Sequence, residues 1–227
     1  MPTSQEPVVK KWVFDVRSRT FLFLALAFFV FVYLTTAKVF LYQDTSFEDW
    51  MQKIAGNTAV DLAMQVFTEL GWVLYPIIVA IILFIRKDTR RLGMILLLSL
   101  VIGTIASAYM RCYTGYEQPD LKFVGVHLAI TSGADVSVPC QIDGTFPAGH
   151  TVRTTLFAFI VGYALSRRFP RGCHIVWLYP ILVSISRLYL LQEYPTTVIG
   201  GAILGILLAD IMAKKLKIEM IFDRSET

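Results

Sequence analysis

From Leu92 to Met110 nineteen consecutive residues pass without a charge. As a helix rising about 1.5 Å per residue, such a run matches the roughly 30 Å hydrocarbon core of a bilayer. Comparable apolar stretches, most with a charge near one end, occupy about 20–41, 62–85, 148–166, 173–191 and 194–213. The 227 residues are 56% hydrophobic and 17% charged, too few polar groups to cover a soluble core of this size. The sequence therefore predicts an all-α integral membrane protein, with six transmembrane helices in a single membrane domain over 1–227.

The formal net charge of +4 is gathered in short clusters between apolar runs, which argues against a nucleic-acid partner. Those clusters also set an orientation. Lys10, Lys11, Arg17 and Arg19 precede the first run, and Arg86, Lys87, Arg90 and Arg91 follow the second. Arg167, Arg168 and Arg171 follow the fourth, and Lys214, Lys215, Lys217 and Arg224 follow the last. By the positive-inside rule, both termini (1–19 and 214–227) are predicted to be cytoplasmic. The first apolar run is long enough to span, so no cleavable signal sequence is expected.

The elaboration falls on the opposite face. Residues 43–61 read as an amphipathic helix lying on the membrane, with Phe47, Trp50, Met51 and Ile54 at helical intervals and Thr45 and Glu48 at capping-box spacing. The connection 111–147 is far longer than two adjacent helices need. Its turn signals, Thr-Gly-Tyr and Ile-Asp-Gly-Thr, flank a β-leaning stretch and predict an ordered extracytoplasmic cap between helices three and four. Cys112 and Cys140 both lie in this connection, where an oxidising environment would allow a disulfide, whereas Cys173 is predicted to stay reduced on the inner side.

Ionisable residues inside spans are costly and by default mark a polar site. Arg111 closes the third span, His150 and Arg153 begin the fourth on one helix face, Arg187 ends the fifth and Glu193 begins the sixth. The arginines suit bidentate binding of a phosphate, and a helix start at 149 would add backbone N–H donors. Single arginines near span ends often only snorkel to headgroups; convergence of four elements at one depth points to an anionic guest. Gly201 and Gly205 read as a helix-packing pair.

Phe146-Pro147-Ala148-Gly149-His150 resembles the Pro-Ser-Gly-His motif of the type 2 phosphatidic acid phosphatase and haloperoxidase superfamily. Ser186-Arg187, with Glu193-Tyr194-Pro195-Thr196-Thr197, is similar to that family's Ser-Arg-x5-His-x3-Asp motif, and Arg111 with Gln118-Pro119 fits the frame of Lys-x6-Arg-Pro. The resemblance covers about 60–213. It implies a membrane lipid bearing a phosphate as partner and a reaction without metal or cofactor. It also implies His150 as general acid, Arg111, Arg187 and the Gly149 backbone as phosphate ligands, and Gln118 and Ser186 at motif positions. Arg153 would replace the charge missing at Gln118.

Four departures remove groups the family chemistry uses: Glu193 stands where the attacking histidine would, Thr197 where an aspartate orients it, Gln118 for an arginine and Ala148 for a serine. Three readings follow. Glu193 is itself a nucleophile or a base in a modified phosphatase or phosphotransferase. Alternatively it is a built-in stand-in for phosphate, in an inactive relative that binds a headgroup or a protein partner in a membrane complex. In the third, His127 of the cap serves instead. No inverted repeat favours a transporter.

Overall fold

The computed structural model describes residues 18–120, 123, 144–166, 169, 170 and 172–221, and these contain helices and no strands. Helix α1 (Arg19–Thr36) starts at a Ser18 cap whose Oγ accepts from Phe21 N at 3.1 Å. Its exposed side carries Leu22, Phe23, Leu26, Phe29, Val30 and Tyr33, as a lipid-facing surface would, while Phe21 and Phe28 turn inward. The first helix ends at Thr36 and not near 41, because Lys38 takes the left-handed conformation (φ 58°), with its N–H donating to Thr35 O at 2.8 Å.

Helix α2 (Leu41–Ile54) follows directly. The expected capping box is not there: the helix begins four residues before Thr45, whose Oγ1 donates to Tyr42 O. Glu48 lies inside the helix and is buried. The expected amphipathic segment is in fact two helices, since α3 (Thr58–Leu70) starts at an Asn57 cap that accepts from Ala59 N and Val60 N. The second apolar run is likewise not one straight helix. Helices α3 and α4 (Leu74–Ile85) meet at a break over 71–73 with a bend of 48°.

Helix α5 (Arg90–Thr114) is the longest. Gly115 ends it in the left-handed region (φ 54°), its N–H reaching Arg111 O at 3.1 Å. Helix α6 (Gly149–Ser166) packs against α5, α7 (Leu178–Tyr189) and α8 (Pro195–Lys215). This central position explains why α6 tolerates Thr151, Thr154, Thr155 and Ser166, all buried. The α6–α8 contact is close because of Gly201 and Gly205. A Cβ on Gly201 would lie 2.7 Å from Ala148 O, and one on Gly205 2.8 Å from Thr155 Cβ. Among the described residues three helices, α5 with its leading turn included, are long and apolar enough to cross a membrane, or four if α3 and α4 form one span.

Candidate functional site at the ends of helices α5 to α8

Four chain segments are fastened to one another at one end of the bundle. The stretch before α6 docks on the end of α5. Thr114 Oγ1 donates to Phe146 O at 2.9 Å, Arg111 Nε to Pro147 O at 3.2 Å, and Thr145 N to Tyr116 O at 2.9 Å. The Phe146–Pro147 peptide is cis. Ala148 N then donates to Thr197 O at 3.0 Å, joining the start of α6 to the first turn of α8. The α6 N-terminus, with the positive end of its dipole, thus meets the α8 start, while the ring of His150 lies toward Gly71 at the break between α3 and α4.

Glu193 lies at the centre of the arrangement and is buried. Its Oε1 is 3.4 Å from Arg187 Nη2 and 3.6 Å from Arg111 Nη2. Its Oε2 accepts from Thr197 Oγ1 at 2.9 Å. Residues 193 and 197, four apart at the start of α8, are therefore in direct contact. Arg187 is also held through Nη1, which donates to Gln192 Oε1. All four charged residues expected here from α5, α6 and α7, Arg111, His150, Arg153 and Arg187, are buried.

The turn that delivers Glu193 was not visible in advance. Helix α7 ends in a Schellman arrangement, with Leu191 N donating to Leu188 O and Gln192 N to Arg187 O. The left-handed residue is Leu191 (φ 54°) instead of the usual glycine. Such a conformation costs a non-glycine residue about 1–2 kcal/mol, and here the hydrophobic contact that normally closes the motif is replaced by the polar Arg187–Gln192 pair.

Two motif-position residues stand differently. Ser186 is buried with its hydroxyl donating to Val183 O at 2.7 Å and sharing a hydrogen bond with Thr68 Oγ1 at 2.8 Å. Gln118 is exposed, and its backbone carbonyl accepts from Tyr194 OH at 3.4 Å. Cys140 and His127 fall outside the described residues, as does most of the expected cap. Cys173 is a buried free thiol. Among the described residues no group of three or more His, Cys, Asp or Glu side chains is placed to hold a metal.

Residues 92–217, more than half of the chain, match the sequence model of the PAP2 superfamily. The chain belongs to the PAP2 superfamily. No curated protein gives a match. A solved structure described as the crystal structure of the first transmembrane PAP2 type phosphatidylglycerolphosphate phosphatase from Bacillus subtilis superposes with a TM-score of 0.67. Identity is 22%, and the match covers 91% of this chain and 96% of that one. At that identity the likeness is one of fold; together with the long apolar helices it supports reading this PAP2 protein as an integral membrane protein.

The break between α3 and α4 lies outside the part matched by the PAP2 model, yet it touches the site. A Cβ on Gly71 would lie 2.5 Å from Val183 Cγ1 and 3.1 Å from His150 Cδ2. Tyr179 OH pins the same elbow by donating to Leu70 O at 2.6 Å. Gly71→Ala is expected to destabilise the protein by about 1–3 kcal/mol through overpacking, read as earlier thermal unfolding in detergent. An unchanged transition would show that the elbow does not press on α6 and α7.

Proposed function

We propose that the protein is a metal-independent membrane lipid phosphate phosphatase or phosphotransferase whose site opens on the extracytoplasmic side. We further propose six spans with both termini cytoplasmic. The basic clusters on the connections support that orientation, and the six helical passages α1, α3–α4, α5, α6, α7 and α8 support the count. The observation that carries the function is the convergence of Arg111 and Arg187 on one oxygen of Glu193, beside the α6 start that bears His150. Two guanidinium groups held there suit the planar, bidentate binding of a phosphate oxygen pair.

In this reading Arg111, Arg187, Arg153 and the Gly149 backbone hold the phosphate. Glu193 attacks phosphorus or activates water, and His150 protonates the departing lipid alkoxide. If Glu193 attacks, its Oε–P bond forms as the P–O bond to the lipid breaks, and water then hydrolyses the acyl phosphate. Phosphatidate, a polyprenyl phosphate and phosphatidylglycerolphosphate are the substrates to test first.

A second reading is favoured by the same contact. With Glu193 seated between the two arginines, its carboxylate stands in for a phosphate, and the protein would bind a headgroup or support a membrane complex without turnover. Phosphate release from these lipids by the purified protein, beside His150→Ala and Glu193→Ala, separates the two. Turnover in the parent protein that falls at least 100-fold in both variants supports the enzyme. No release from any substrate leaves the binding role.

A further inference from the structure

Helix α8 has no cap of its own. Tyr194 stands at its N-cap position, where its side chain makes no capping hydrogen bond, and Pro195 follows as the first helical residue. The amide of Thr196 is nevertheless satisfied from far away in sequence: Asp44 Oδ1 accepts from Thr196 N at 3.2 Å and from Thr196 Oγ1 at 3.0 Å. Asp44 Oδ2 accepts from Tyr116 OH at 2.7 Å, on the segment just past the Gly115 cap of α5. One turn along α2, Glu48 Oε2 accepts from Tyr194 OH at 3.3 Å, and the rings of Tyr116 and Tyr194 meet edge to face.

The orientation of α2 is the reverse of a surface helix on a soluble protein. Asp44 and Glu48, four residues apart, point inward and are buried, whereas Tyr42, Trp50 and Ile54 are exposed. An acid is an expensive choice for an inward position unless its hydrogen bonds are needed. Here they go to the two segments that carry Arg111 and the Glu193–Thr197 pair. Burial pushes the Asp44 carboxyl above its ordinary range, an effect opposed by the bonds from Tyr116 and Thr196.

We infer that Asp44 is a positioning residue of the site, a cap supplied in trans by α2 that fixes the first turn of α8 and with it the Glu193–Thr197 pair. This role rests on the site proposed above and gives a helix outside residues 92–217 a part in building it. When the cap is removed, the first turn of α8 loosens and turnover suffers more than substrate binding. A carboxamide at position 44 keeps an acceptor for Thr196 and therefore preserves most of the effect.

The test uses the full-length protein in detergent or proteoliposomes with Asp44→Ala and Asp44→Asn. Hydrogen exchange of the peptide covering 194–201 is expected to quicken at least tenfold in Asp44→Ala and less than threefold in Asp44→Asn, with exchange in 205–215 unchanged. With phosphatidate, or whichever lipid phosphate the parent protein hydrolyses, Asp44→Ala is expected to lower kcat at least tenfold while KM moves less than threefold. Unchanged exchange in Asp44→Ala overturns the inference, as does a rise spread equally over all of α8. A kcat unaltered in a variant whose 194–201 segment has loosened overturns the positioning role. Should the parent protein hydrolyse none of the lipids, the catalytic assignment fails by itself, and affinity for a lipid phosphate replaces kcat as the readout. An affinity unchanged by Asp44→Ala then overturns the positioning role as well.

Discussion

Arg187→Ala is expected to lower the thermal stability of the protein sharply, and adding Glu193→Gln is expected to return a large part of the loss. Glu193 is buried with one carboxylate oxygen between Arg187 and Arg111. Removing one partner from a buried ion pair typically costs about 3–5 kcal/mol, because the remaining charge keeps its desolvation penalty. Arg111 stays beside Glu193, so the lower half of that range is expected. Neutralising residue 193 in the same chain removes the stranded charge, and the two substitutions should be coupled by about 0.5–3 kcal/mol. Unfolding of the two single variants and the double variant in one detergent measures this directly. Strictly additive losses would show that the arginines and Glu193 are close without being energetically linked. The same cycle bears on function, since Glu193→Gln alone leaves both arginines without their internal anion and should tighten binding of a free lipid phosphate.

What the sequence disclosed about this site, and what it did not, follows from how each residue is held. The contact of Arg111 and Arg187 with Glu193 is legible in the sequence because ionisable groups in apolar runs are rare, and their positions at run ends suggest a common depth. Gly115 was legible for a similar reason, since Thr-Gly-Tyr is a turn signal and the glycine indeed supplies the left-handed residue after α5. Leu191 adopts the same conformation with no such signal, because the Arg187–Gln192 and backbone bonds around it impose it.

The amphipathic pattern of helix α2 is legible in the sequence, but the side of the helix that carries its chemistry is not. The apolar positions Trp50 and Ile54 mark the exposed side, whereas the inward Asp44 and Glu48 are the residues that reach the site. Spacing that suits a capping box is satisfied equally by a helix whose acids serve a distant partner. The elbow at Gly71 was hidden for a related reason. Local pattern shows an uninterrupted apolar run, and the bend is set by packing against α6 and α7.

The largest gain in activity is expected from Glu193→His combined with Thr197→Asp. The two substitutions rebuild the pair found in the family motif, and they exchange one negative charge for another, so the formal charge of the pocket is preserved when the imidazole is neutral. Geometry permits the pair, because Thr197 Oγ1 already reaches a Glu193 oxygen at 2.9 Å, and an aspartate at 197 would extend toward the same partner. An imidazole is a better nucleophile toward phosphorus than a carboxylate and does not repel the anionic substrate. Moving the negative charge from 193 to 197 also takes the internal anion off Arg111 and Arg187 and leaves them for the lipid phosphate. We expect phosphate release at least 100-fold above that of the parent protein, a change of about 2.7 kcal/mol in the barrier. Glu193→His alone should give less, because Thr197 cannot stabilise the imidazolium that an aspartate would. If the double variant folds and binds a lipid phosphate yet releases no more phosphate than the parent, the departures at 193 and 197 are not what limits this site. The limitation would then lie with Gln118 or Ala148, the other two positions at which the motif is broken.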